Sequence, residues 1–283
     1  MRTRAGVGAQ AGAAKRAARA IVARARGRRF RGAVRARGVM VGARDERGYA
    51  YQGSELELFT EATNWKRMWS RAIAPRVGAR VLDVGAGIGA NIPLLMGPRQ
   101  TAWLALEPDA ALADRIREDV AAGRLPAHVA VRTGTLAALS ADETFDTILY
   151  IDVLEHIEDD RGELARAASH LAPGGTLVVL APAHQFLFTP FDRAIGHFRR
   201  YDRRSLAAAG PAALRLASLY HLDSAGMLAS AMNRLFLRSA MPTRGQIRLW
   251  DRALVPLSRV LDPLLAYRVG KSVVGVWERA AVR

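Results

Sequence analysis

The stretch "VLDVGAGIGAN" (Val81–Asn91) decides how this chain is read. An apolar run enters a turn with Gly85, Gly87 and Gly89 at alternate positions. Glycine tolerates positive φ and has no Cβ, so such a turn lets main chain approach a ligand closely. Gly85, Gly87 and Ala90 also satisfy the G-x-G-x-x-G/A spacing, so the glycines alone leave a nicotinamide dinucleotide open.

On the N-terminal side, Ser54 and Glu57 form a capping box. Leu58, Phe59, Ala62, Trp65, Met68, Trp69 and Ile73 follow at helical spacing, and Pro75 ends the helix. On the C-terminal side, apolar runs over 79–85, 101–108, 127–134, 145–152 and 176–183 read as buried strands. Helices fall between them. Asp109 caps one that runs through Ala122 and stops at Gly123. Asp160 and Glu163 open another, which runs to Leu171 before "PGG". Alternating strands and helices predict an α/β fold with a doubly wound, mostly parallel sheet. In that architecture ligands sit at the carboxyl ends of the strands.

Beyond residue 183 the pattern changes. "HQFLFTPFDRAIGHFRRYDRRSL" reads as a polar-aromatic loop, 215–226 as a sixth strand, and 271–280 as a closing strand. Residues 227–267 read as a helical lid or insertion. There Trp250, Leu254, Leu257, Leu261 and Leu264 form an apolar stripe, with Arg248, Arg252 and Arg259 beside it. The stripe suits core or a lid over the site. A basic amphipathic surface for a membrane or a lipid-linked substrate is the second reading.

Charge and composition narrow the partners. The net charge is +16, but residues 1–40 hold 12 of the 42 Lys and Arg and no acid. The rest carries 30 basic against 26 acidic residues, which argues against a nucleic-acid-binding surface. Residues 1–48 are expected to be a basic disordered tail or a mis-assigned start, and 49–283 the functional domain. Residues 1–38 lack an apolar run long enough for a signal peptide, and no uninterrupted apolar stretch in 227–267 spans a bilayer. There is no cysteine, so thiolate chemistry is excluded. A cytoplasmic location fits, with peripheral contact at the inner face of the membrane as the finer expectation. No obligate protein partner is expected.

Glu107 ends the second strand, 22 residues after Gly85. A carboxylate there accepts hydrogen bonds from ribose hydroxyls. "VLDVGAGIGAN", "LALEPD", "FDTILYIDVLEHIEDD" and "LAPGGTLVVLAP", in this order and spacing, resemble the class I S-adenosylmethionine-dependent methyltransferases. The likeness runs from about residue 50 to 183. "GHFRRYDRRSL" and the "GKS" strand are similar to a bacterial subgroup of type 11/12-like enzymes. The resemblance implies a seven-stranded Rossmann-like sheet whose final strand is antiparallel, and S-adenosylmethionine as cofactor. It implies that Asp83, Gly85, Ala86, Gly87 and Asn91 border the methionine moiety. Glu107 then holds the ribose, and Pro108 and Asp109 flank the adenosine. Thr135 stands where relatives carry an adenine-binding Asp, so Thr135 or the Leu136 backbone takes that contact. Asp152, Val153 and His156 line the sulfonium side.

The cofactor brings its own activated methyl, so the protein has to orient it and handle a proton. His156, His197 and Tyr201 are the candidate catalytic residues, and Arg200 the candidate anchor for an acidic group on the acceptor. No His/Asp/Glu cluster shows metal-ligand spacing along the chain, and no metal is expected. The acidic residues of "YIDVLEHIEDD" read as helix caps and strand-end groups. The expected reaction is methyl transfer to an oxygen or nitrogen of a small or lipid- or glycan-linked acceptor. The alternatives are a nicotinamide-dependent oxidoreductase and a non-catalytic cofactor-binding regulatory protein.

Overall fold

The computed structural model describes residues 59–232 and 243–281. The expected tail, the Ser54 capping box and residues 233–242 of the expected insertion lie outside the described residues.

The described residues build one seven-stranded sheet, in the order β3-β2-β1-β4-β5-β7-β6. The strands are β1 (Arg80–Val84), β2 (Ala102–Glu107), β3 (Val129–Thr133), β4 (Phe145–Ile151), β5 (Leu171–Pro182), β6 (Arg215–Leu222) and β7 (Ser272–Glu278). β1 to β5 are parallel, and β7 enters antiparallel between β5 and β6. The six-strand dinucleotide order, 3-2-1-4-5-6, lacks that inserted strand.

The sheet is apolar on both faces because consecutive residues point to opposite sides. Val81 packs with Trp69, Trp103, Leu149 and Val178 on one face. Its neighbour Leu82 packs with Leu104, Ile148, Tyr150 and Leu177 on the other. Burying each such leucine stabilises the fold by about 1.5–3 kcal/mol. Helices α1 (Thr63–Ile73), α2 (Ile92–Leu95) and α3 (Ala110–Ala121) cover the first face. Helices α4 (Asp160–Ser169) and α6 (Arg203–Ala209) cover the second. The short α5 (Pro190–Ala194) lies between β5 and α6.

Several local expectations are corrected. The first helix is broken at Glu61 and Ala62, where Ala62 takes ψ 64, and resumes at Thr63. The cap of α4 is Asp159, whose carboxylate accepts from Gly162 N–H, and not Asp160. "PGG" lies inside β5 rather than ending the helix. The expected loop from His184 carries α5, and a β-bridge joins Ala183 to Tyr201.

The insertion differs most. Its described residues form α7 (Ser224–Met232), α8 (Arg244–Leu249), a π turn (Trp250–Leu254) and α9 (Val255–Leu264). The expected stripe is not its buried face: Leu257 and Leu264 are exposed, whereas Val255, Ser258 and Asp262 are buried. The polar pair is inside because it closes another helix. Asp262 accepts from the N–H groups of Asp223 and Ser224 at 2.8 and 2.9 Å, and Ser258 Oγ accepts from Ala225 N–H at 3.0 Å. The first turn of α7 thus obtains the acceptors a buried helix start needs.

Candidate functional site

One cavity of about 1020 Å³ opens above the carboxyl ends of the central strands. At one end the turn after β1 folds onto β2: Gly85 and Ala86 N–H donate to Leu106 O at 2.8 and 3.2 Å. Gly85 has φ 65, and a Cβ there would lie 2.8 Å from both methyls of Val153. Only glycine meets both conditions.

Glu107 is 4% exposed. Its Oε2 accepts from Gly87 N–H at 2.8 Å and its Oε1 from Asp109 N–H at 2.9 Å. Burial pushes its carboxyl up, and these two N–H groups pull it back. Each oxygen keeps a lone pair for an incoming hydroxyl. Asp109 caps α3 through Ala111 and Leu112 N–H.

The cavity wall brings together Gly85, Ala86, Gly87, Asn91, Glu107, Pro108, Thr135, Asp152, Val153, His156, His197 and Arg200, twelve of the positions singled out from sequence. Four others do not line it: Asp109, which caps α3, and three more. Asp83 is buried at 1% exposure beneath the turn, where burial pushes its carboxyl up to about 7 and the Glu107 charge adds to the rise. Leu136 packs its side chain into the core of the opposite face. Tyr201 is 1% exposed, and its hydroxyl donates to Asp160 Oδ2 at 2.8 Å. Burial and the Asp160 carboxylate raise that phenol far above its ordinary range. A hydroxyl buried and engaged in this way does not open on the cavity. The Tyr201 N–H donates to Pro182 O, and its C=O accepts from His184 N–H, so the residue ties the loop to the end of β5.

The other end of the cavity is built around Asp192, which the sequence did not single out. Asp192 is 1% exposed. Its Oδ2 accepts from Thr189 N–H and Oγ1, both at 2.8 Å. Arg200 binds it through Nε at 2.8 Å and Nη2 at 3.0 Å, and His197 Nδ1 lies 3.0 Å from Oδ1. Burial opposes its charge, but these partners hold the carboxyl well below the usual range. Arg200 is therefore engaged by Asp192 rather than unpaired. In His156, burial pushes the imidazole down to about 3, and His197 adds to the fall.

Two more groups face the same space. Asp152 follows β4 directly and has φ 54, an unusual backbone state for a non-glycine residue. Its side chain reaches solvent through the cavity, yet protein surrounds it. That enclosure pushes its carboxyl up to about 6, against the pull of Lys271 and Arg200. Lys271 lies 4.3 Å over the Trp250 ring. Glu155 is wholly buried, and neither carboxylate oxygen has a hydrogen-bond partner among the described residues. Asp160 is engaged by Tyr201 and Arg199. Among the acidic residues after β4, the expected role of helix cap thus holds for Asp159 alone.

No metal-ligand spacing runs along the chain, but among the described residues the fold brings three candidate ligands together. Single ligand atoms of Glu155, His156 and His197 lie within 4.8 Å of one another. Forty-one residues separate His156 from His197 along the chain, so linear spacing carried no signal.

The wall also carries an apolar set, Phe59, Trp65, Trp69, Ile247, Leu249 and Trp250. No helix among the described residues is long and apolar enough to cross a membrane.

Residues 54–213 match the profile of a family described as a methyltransferase domain. A ubiquinone biosynthesis O-methyltransferase of Parvibaculum lavamentivorans is 32% identical over 138 residues, covering 46% of this chain and 53% of that protein. A demethylmenaquinone methyltransferase of Tropheryma whipplei is 29% identical over 168 residues, covering 58% of this chain and 68% of that one. The chain thus spans about half the length of the first of these relatives. Among solved structures, a geranyl diphosphate C-methyltransferase of Streptomyces coelicolor A3(2) superposes with a TM-score of 0.54 at 15% identity, over 82% of this chain and 86% of that one. That likeness concerns the fold. The family match, the strand order and the closed glycine turn lead to one conclusion: this chain belongs to the class I S-adenosylmethionine-dependent methyltransferases.

Proposed function

We propose that this protein transfers the methyl group of S-adenosylmethionine to an oxygen of a small, largely apolar acceptor of quinol type, free or lipid-linked. The observation that carries the reading is the cavity itself, whose wall holds Glu107, the His156–His197 pair and an apolar set that includes Phe59, Trp65 and Trp250. The names of the two quinone-pathway relatives support the acceptor class.

When bound, S-adenosylmethionine supplies a methyl group already activated for displacement. Glu107 accepts from the ribose hydroxyls, and the Gly85–Gly87 main chain and Asn91 border the methionine portion. Pro108 and Thr135 flank the adenine. Asp152 and Val153 face the sulfonium. His156 and His197 meet the polar end of the acceptor, and Phe59, Trp65 and Trp250 exclude water around its apolar part. Asp192 holds His197 and Arg200 in place.

The test is calorimetry with S-adenosylhomocysteine and NADH, followed by transfer of labelled methyl from S-adenosylmethionine to a panel of catechols and quinols. Binding of the homocysteine product together with label on a phenolic oxygen is expected. NADH binding in its place, or label going only to amines, would overturn the reading.

A further inference from the structure

We infer that Glu155, His156 and His197 form a binding site for one divalent transition-metal cation of the zinc or iron class, at the acceptor end of the cavity. The inference rests on the proposed function only for what the ion would face. The site itself rests on three separate observations.

The first is the ligand set. One carboxylate and two imidazoles present atoms that lie within 4.8 Å of one another. Metal bonds of about 2.1 Å place neighbouring ligand atoms about 3–3.5 Å apart, a closure that side-chain rotation supplies. His197 Nε2 already lies 3.8 Å from Glu155 Oε1. Two nitrogens and one oxygen suit zinc or ferrous iron better than magnesium or calcium, which prefer all-oxygen shells.

The second is the orphaned carboxylate. Glu155 is wholly buried and neither oxygen finds a hydrogen-bond partner among the described residues, although the residue is part of the cavity wall. A buried carboxylate without partners is costly, and a cation removes the cost.

The third is the arrangement behind the ligands. Metal-bound histidines donate their second ring N–H to a carboxylate or carbonyl, which fixes ring and tautomer. His197 Nδ1 lies 3.0 Å from Asp192 Oδ1, which leaves Nε2 directed toward Glu155. His156 has the Gly196 carbonyl as a partner. The two rings meet edge to face at 4.5 Å between centroids. Phe198 N–H also donates to Glu155 O at 2.8 Å, so the loop carrying His197 is pinned beside the carboxylate. The three protein ligands leave coordination positions on the cavity side, where an acceptor oxygen can enter.

The test uses full-length protein stripped with EDTA and titrated with Co²⁺ as a visible-light probe, then with Zn²⁺ in competition. One ion per chain is expected. Glu155→Gln and His197→Ala should lose the cobalt spectrum, and Asp192→Asn should weaken binding about 10- to 100-fold. Failure of the wild-type protein to bind Co²⁺ at micromolar concentration overturns the inference, as does unchanged affinity in both ligand variants. Folding of each variant is checked by S-adenosylhomocysteine binding in EDTA. Should the variants not fold, histidine modification of the wild type decides: Zn²⁺ should protect His156 and His197 from diethyl pyrocarbonate and leave exposed His128 reactive, and equal reactivity at all three overturns the site. Product binding by the wild type in EDTA separates the outcomes, because its loss would count against the methyltransferase reading and not against the metal.

Discussion

The Trp65 main-chain N–H donates to Asp251 Oδ1 at 2.8 Å, across 186 residues. Asn64 N–H reaches Oδ2 of the same carboxylate at 3.2 Å. Helix α1 has no side-chain cap of its own at Ala62, so a residue from the insertion near the other end of the chain closes it. This contact also brings Trp65 and Trp250 to 5.9 Å between ring centroids on the cavity wall.

Asp251→Ala should therefore destabilise the fold by about 1–3 kcal/mol, the range for a lost cap and a lost charged acceptor at a buried helix start. Urea unfolding measures it. Unchanged stability would mean that the insertion does not hold α1.

Replacing Glu107 by Ala removes the acceptor of Gly87 and Asp109 N–H as well as the proposed ribose partner. The loss should be about 1.5–3 kcal/mol of cofactor binding, a roughly 10- to 150-fold rise in Kd for S-adenosylhomocysteine. Calorimetry that finds the same Kd would take Glu107 out of the site.

Gly85→Ala faces two obstacles, a backbone at φ 65 and contacts of 2.8 Å to Val153. The left-handed conformation alone costs about 1–2 kcal/mol. The single variant should lose both melting temperature and product binding. Val153→Ala in the same chain should recover part of each by removing the contact, while the backbone cost stays. No recovery would assign the whole effect to φ.

Tyr201→Phe keeps the ring and deletes the hydroxyl that Asp160 accepts. Stability should fall by about 1–2 kcal/mol. Turnover, measured well below the melting temperature, should stay within about twofold. A large drop in turnover at equal stability would restore Tyr201 to the chemistry.

His221 stacks on His184 at 5.0 Å, with 11° between the rings. Burial pushes its imidazole down to about 4, and the His184 ring adds to the fall. As pH drops below about 6.5, the unfolded chain takes up this proton and the folded chain refuses it until about pH 4. Stability should decline across that window, by at most about 1.4 kcal/mol per pH unit from this one group. His221→Phe should flatten the decline. Identical slopes in the two proteins would show that His221 titrates normally.

The central half of the fold was legible because its signals are local. Apolar runs, the Asp109 cap and the glycine turn each act within a few residues, and Glu107 lies one strand from that turn. The polar end was not legible, since Asp192, Glu155 and Lys271 become neighbours only after loops from three strands converge. The insertion misled for a related reason. Ser258, Asp262 and Asp251 look like solvent-facing positions, but each supplies acceptors to a helix start elsewhere, and their burial leaves Leu257 and Leu264 outside.

By itself, then, the sequence determined the alternation of strands and helices, the sheet class and the glycine turn with its neighbour Glu107, because periodicity and turn chemistry are properties of contiguous residues. Only the tertiary structure decided which polar side chains gather around Asp192 and Glu155. Pairing there depends on how loops and the insertion pack across the sheet, and a buried charge finds its partner through space rather than along the chain.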